Sequence, residues 1–143
     1  MPTPVAAMTA EERARRVELS SDMCVVDESS FFLLGCLDLP IRDTDEAFRF
    51  LVWVSQSEQS FANAFALWET PGREATPPTF GWLSTEVPLY PRTVGLQTQV
   101  HTQPVGVRPS VVLEPSEHPL AIDQRDGISR ERAIEMATAL LHG

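Results

Sequence analysis

Residues 23–40 read MCVVDESSFFLLGCLDLP, and the organisation of the chain is decided in this stretch. Met23 to Val26 and Phe31 to Leu39 are rich in β-branched and large apolar residues. Asp27-Glu28-Ser29-Ser30 between them is turn chemistry, so a hairpin is expected. Phe31, Leu33 and Leu37 are apolar on one parity, and Phe32, Leu34 and Cys36 on the other. A strand with one wet face would alternate, so this one is expected at the centre of a sheet, covered on both faces. Pro40 has no amide hydrogen and ends its pairing.

Downstream, Phe48, Phe50, Val52 and Val54 share one parity and Arg49 and Trp53 the other, which predicts a strand over Ala47 to Val54. Ser55 and Glu58 then make a capping box. Phe61, Phe65 and Trp68 recur at the spacing of one helical face, so a helix is expected to dock on the sheet through them. Pro71-Gly72 stops it. Arg73 to Thr79, with Pro77-Pro78, has too little apolar content to pack and is expected to be an irregular, mobile connection. Upstream, Thr9 and Glu12 predict a peripheral helix over Glu11 to Leu19, preceded by a disordered tail over residues 1–8.

Val94 to Thr102 and Val107 to Glu114 alternate as two further strands. Requiring that Val94, Leu96 and Val100 share an inward face with Val107, Val111 and Leu113 restricts paired residue numbers to odd sums. A sum of about 209 puts Gln103-Pro104-Val105-Gly106 in a four-residue turn and sets His101 opposite Arg108 and Gln99 opposite Ser110. His118-Pro119 reads as N-cap and first residue of a short helix that Gly127 ends. Ser129 caps a C-terminal helix whose apolar stripe is Ala133, Ile134, Met136, Ala137, Leu140 and Leu141. The fold class expected is α+β: a single domain over residues 1–143, mainly an antiparallel sheet of about five strands with two or three packed helices.

The chain is long enough for a core that needs no staple, since a globule of its 143 residues buries roughly 68% of the surface its unfolded chain exposes. Its composition, 43% hydrophobic and 22% charged, is that of a globular protein, and no apolar run approaches the length of a membrane span. The opening residues carry no basic segment followed by an apolar one, and the expected compartment is the cytoplasm. There Cys24 and Cys36 are expected to be buried thiols rather than a disulfide. All eleven basic residues are arginine, and against twenty acids they leave a net charge of −9. Such a surface repels a polyanion, so no nucleic-acid partner is expected.

Three further stretches belong together: Val52-Trp53-Val54-Ser55 with Glu58; Phe80-Gly81-Trp82-Leu83-Ser84 with Tyr90-Pro91; and Arg108-Pro109 followed by Leu113-Glu114-Pro115 and His118-Pro119-Leu120. In combination they resemble the bacterial domain of unknown function 2199 family over about Arg16 to Glu135. That resemblance brings a family but no activity. Many members of the family carry an N-terminal Cys-x-x-Cys-Gly segment followed by a histidine, similar to a small zinc knuckle. This chain lacks the segment, so no metal role is carried over.

No phosphate-binding glycine loop, nucleophile elbow or zinc-protease motif occurs. His101, Arg108, Ser110, Glu114 and His118 form a polar cluster, and His101, Arg108, Glu114 and His118 are its catalytic candidates. In one neighbourhood, a histidine would serve as base, Glu114 as its orienter and Arg108 as an anion clamp. The same residues also suit a solvated sheet face and a helix cap. Trp53, Trp82 and Tyr90 are candidate ligand-binding residues, and equally candidate core. Asp43, Asp45 and Glu46 lack the spacing of a calcium loop and read as a solvated turn. Neither a metal nor a cofactor is expected. With no nucleophile beside a base, the favoured reading is a non-enzymatic module that binds a small ligand or a protein partner, on the sheet or the Arg73 to Thr79 loop. A small hydrolase-like enzyme using the His/Glu/Arg cluster is the alternative, and a homo-oligomer is compatible with either.

Overall fold

The computed structural model describes residues 17–19, 22–27 and 29–142. Strands β1 (Val17–Leu19), β2 (Met23–Val26), β3 (Ser30–Pro40) and β4 (Ala47–Gln56) follow one another. Helix α1 (Glu58–Ala66) comes next, then a single 3-10 turn at Arg73–Ala75. Strands β5 (Thr79–Trp82), β6 (Gln97–His101) and β7 (Ser110–Leu113) and helices α2 (Pro119–Asp126) and α3 (Arg130–His142) complete the α+β domain.

The expected hairpin is present: β2 and β3 are antiparallel, with Val26 opposite Ser30 and Asp27 turning the chain at a φ of 53°. Along its whole length β3 also pairs with β4, from Phe31 opposite Gln56 to Pro40 opposite Ala47. Where β2 ends, β7 takes over the other edge of β3, the Cys36 amide donating to the Pro109 carbonyl. This contact is parallel, so the sheet is mixed rather than wholly antiparallel. It has seven strands, against about five expected, within the expected α+β class. The two unforeseen ones are β5 and β1; Val17–Leu19 pairs with β2 instead of ending a helix. The rest of that expected helix, with the Thr9–Glu12 box and the tail, lies outside the described residues.

Both faces of β3 are covered, for different reasons. Leu37 and Leu39 point into the main core with Phe50, Val52 and Val54 of β4, Leu83, Val100, Val111 and Leu113. Phe32 points the other way, into a second cluster with Cys24, Val26 and Trp53. Cys24 and Cys36 are buried free thiols. Each Leu or Val so enclosed contributes roughly 1.5–3 kcal/mol. Helix α2 brings Leu120 and Ala121, and α3 Ala133 and Met136, to the main core. The stripe expected on α3 is narrower than predicted: Ile134, Leu140 and Leu141 are exposed.

The sheet curls until β5 reaches β4. Val54 bridges Leu83, the Ser84 amide donates to the Trp53 carbonyl, and the Trp82 amide donates to Ser55 Oγ. At this seam Gly81 lies so close to β4 that a Cβ would stand 2.2 Å from the Ser55 carbonyl oxygen. Only glycine permits that approach. Because β4 runs on to Gln56, the first helix is capped by Ser57, which accepts the Ser60 amide, and not by Ser55. The face expected to dock only partly does so: Phe61 packs on Phe31 at 5.0 Å between ring centroids, whereas Phe65 is 65% exposed.

The β6–β7 register also departs from expectation. Thr98 faces Leu113 and His101 faces Ser110, a sum of 211. A slip of two residues leaves every side chain on its face, so alternation cannot tell 209 from 211. The connection is a loop over residues 102–109, and Val107, expected inside, is exposed.

Gly81→Ala should lose at least about 3 kcal/mol of stability in urea denaturation, since backbone and not a flexible tip blocks the added methyl. Phe65→Ala, read in the same assay, should lose less than about 1 kcal/mol.

Candidate functional site

Helix α1 and the Arg73–Ala75 turn enclose a cavity of about 60 Å³ against the sheet. Its apolar wall is Leu33, Ala64, Leu67, Trp68, Val100 and Pro109, with Gln56, Ser60, Asn63, Thr76, Thr79, Thr102 and Gln103 between them. Arg73 is its one charged residue. The segment from Arg73 was expected to be loose. Instead Gly72, at a φ of 84°, turns the chain inward, and Arg73 is only 8% exposed.

The guanidinium is held by carbonyls rather than by a carboxylate. Nε donates to the Gln103 carbonyl (2.8 Å), Nη1 to Trp68 (3.0 Å), and Nη2 to Pro104 and Val107 (3.1 Å each). It also lies over the Trp68 ring, 5.4 Å from the centroid. These contacts tie the end of α1 to the 102–109 loop. A guanidinium has five N–H donors. Four are spent here, and among the described residues the fifth, on Nη1, has no acceptor. Dipoles of four carbonyls soften the burial of the charge but do not neutralise it.

Other polar groups on the wall divide into used and unused. Gln56 donates from Nε2 to the Ser55 and Phe80 carbonyls and accepts from Thr79 Oγ1, which fastens β4 to β5. Asn63 accepts from Gln59 Nε2. Asn63 Nδ2 and Thr102 Oγ1 have no partner among the described residues.

The residues singled out in the sequence fall elsewhere. His101 lies opposite Ser110 and not Arg108, which instead pairs with Asp22 at 2.9 Å. Glu114 accepts from Gln99 Nε2 at 2.8 Å, and its amide donates to the Gln97 carbonyl. Among the described residues no hydrogen bond or ion pair joins His101 to Glu114, whose carboxylate is engaged by Gln99, two residues short of His101 on β6. His118 caps α2: its Nδ1 accepts the Leu120 amide, so Nε2 carries the hydrogen and donates to the Arg92 carbonyl. Both ring nitrogens are occupied by backbone. The four catalytic candidates therefore do not converge.

The three aromatic candidates are likewise apart, and none lines the cavity. Trp53 is buried in the second cluster. Trp82 is 47% exposed and stacks edge-on against Phe80. Tyr90 is half-buried; its hydroxyl donates to Asp123 at 2.6 Å, and Arg132 covers its ring and pairs with Asp123. Burial, with that hydrogen bond, pushes the Tyr90 phenol above its ordinary range. Asp43, Asp45 and Glu46 form an exposed turn. Among the described residues no cluster of three or more His, Cys, Asp or Glu is placed to hold a metal, and no helix is long and apolar enough to cross a membrane.

A family model described as an uncharacterized protein conserved in bacteria (DUF2199) matches residues 1–128. The chain belongs to this family. No curated protein and no solved structure matches it. The DUF2199 span takes in every residue of the cavity wall and ends at Ile128, before α3.

Arg73→Met should destabilise the protein by about 3–5 kcal/mol and accelerate hydrogen exchange across the 102–109 loop, because four carbonyls lose their donor together. Arg73→Lys should lose nearly as much, an ammonium having no planar fork to span them. For Tyr90 the sign is the reverse of an acid that folding ionises. A raised phenol pKa contributes stability below its unfolded value near ~10, and that contribution is lost as pH climbs through the folded value. Tyr90→Phe should flatten the alkaline loss of stability above about pH 10, at a cost of about 1 kcal/mol at pH 7.

Proposed function

We propose that the chain is a small-ligand-binding module whose site is the cavity beneath α1. The observation that carries this reading is the buried Arg73 guanidinium on a mostly apolar wall that holds no carboxylate. Apolar walls with a few convergent polar groups and one charge are the make-up of small-molecule sites. Ser60 and three threonines supply hydroxyls, but no His, Asp or Glu lines the wall to act as their base, which favours binding over turnover. The hydrolase-like alternative has no comparable support, its residues being spread over β6, both ends of β7 and the start of α2. The buried free thiols suit a cytoplasmic module, and the net charge of −9 disfavours a nucleic-acid partner. A protein partner is the competing occupant.

A thermal-shift screen of the full chain against a metabolite library tests the reading. A true ligand at 100 times its dissociation constant stabilises the fold by about 2.7 kcal/mol, and Ala64→Phe, which fills the cavity, should abolish the shift. Silence across the library, or hits indifferent to Ala64→Phe, overturns it.

A further inference from the structure

Resting on that binding site, we infer that its ligand is a short-chain aliphatic monocarboxylate. The cavity volume of about 60 Å³ has room for roughly four to six water-sized groups at ~10–15 Å³ each, far too few for a nucleotide or a coenzyme. Charge sets the sign of the ligand. Arg73 is enclosed with no acidic residue on the wall, and its remaining Nη1 hydrogen is a donor awaiting an acceptor. Thr102, half-buried, and Asn63, exposed at the mouth, also line the wall, and neither Oγ1 nor Nδ2 has a partner among the described residues.

One guanidinium balances one negative charge, so a dianion such as phosphate would bring a second charge to a wall that cannot meet it. Leu33, Leu67, Val100 and Pro109 offer it nothing either, whereas they cover a chain of a few methylenes. The Trp68 ring lies over one face of the guanidinium and four carbonyls take most of its edge, so the anion meets it through the single remaining Nη1 hydrogen.

The test is calorimetric titration of the full chain, in a cationic buffer near pH 7, with butyrate, butan-1-ol, butylammonium and inorganic phosphate. Butyrate should bind at least about tenfold more tightly than butan-1-ol, the difference made by charge assistance. Butylammonium and phosphate should not bind. Butyrate should also change Trp68 fluorescence and shift the Arg73 Nε–H resonance. Ala64→Phe should lose all three responses, as should Thr102→Leu, which blocks the cavity from the sheet side and serves should Ala64→Phe unfold. If butan-1-ol matches butyrate and both variants block each, the site stands and the inferred class is wrong. If phosphate matches butyrate, the class is also wrong. Butyrate binding that survives both variants removes the site and the class together, and no binding by any of the four removes the class, leaving the site to the library screen.

Discussion

The approach of Gly81 to the Ser55 carbonyl is the constraint on which this fold turns. Without it, β5 would be the free edge of a sheet that runs through β6 and β7 to β3. With it, the sheet bends back on β4, and the amides of Trp82 and Ser84, which an open edge would leave to water or to another chain, find partners on β4. The main core is the interior of that curl. Gln56, the last residue of β4, is spent on holding β5, and α1 starts two residues later, so the helix has little freedom in where it lies. The cavity beneath it is thus a by-product of sheet closure.

Arg73 shows the opposite economy. A core that only had to be stable would place an apolar side chain at this position, since an enclosed charge without a counter-charge is a net burden in most surroundings. Here four carbonyls from two segments converge on it, and no side chain of comparable size offers donors in that many directions. The arrangement makes the end of α1 and the 102–109 loop answer to one group. It also leaves a positive field inside a protein whose surface is acidic, and a local breach of the usual rules is where function is most often found.

What could be seen in advance followed from neighbours in sequence. The β2–β3 hairpin, the doubly covered β3, the parity of β4, and the caps at His118, Gly127 and Ser129 each rest on residues within a few positions of one another. The family, too, was legible in its motifs. Besides β1, β5 and the parallel β3–β7 contact, three features were not. The β6–β7 register differs from expectation by two residues, a shift to which alternation is blind, and with it went the His101–Arg108 pair. On α1 and the turn after it the inward face runs through Ser60, Ala64, Leu67 and Trp68, and the large apolar Phe65 beside it is left outside, which apolar spacing alone does not reveal. Arg73 carries no signal in the sequence because its partners are main-chain carbonyls, which every residue has and no motif announces. The candidate site was hidden for the same reason: it is assembled from β3, β4, α1, β5 and β6 and from both loops that Arg73 joins.

The parallel contact between β3 and β7 has a kinetic side. Cys36 and Ser110 are seventy-four positions apart, and nothing local draws them together. The β2–β3–β4 meander closes through short turns and can form early, but it then presents an apolar β3 edge with only half its length covered until the C-terminal strands arrive. Loop-closure entropy falls on that last step. During synthesis the exposure lasts at least until Ser110 has left the ribosome, and α2, whose Leu120 packs over the finished sheet, can dock only afterwards. Order of assembly, more than final stability, is what the long return to β3 determines.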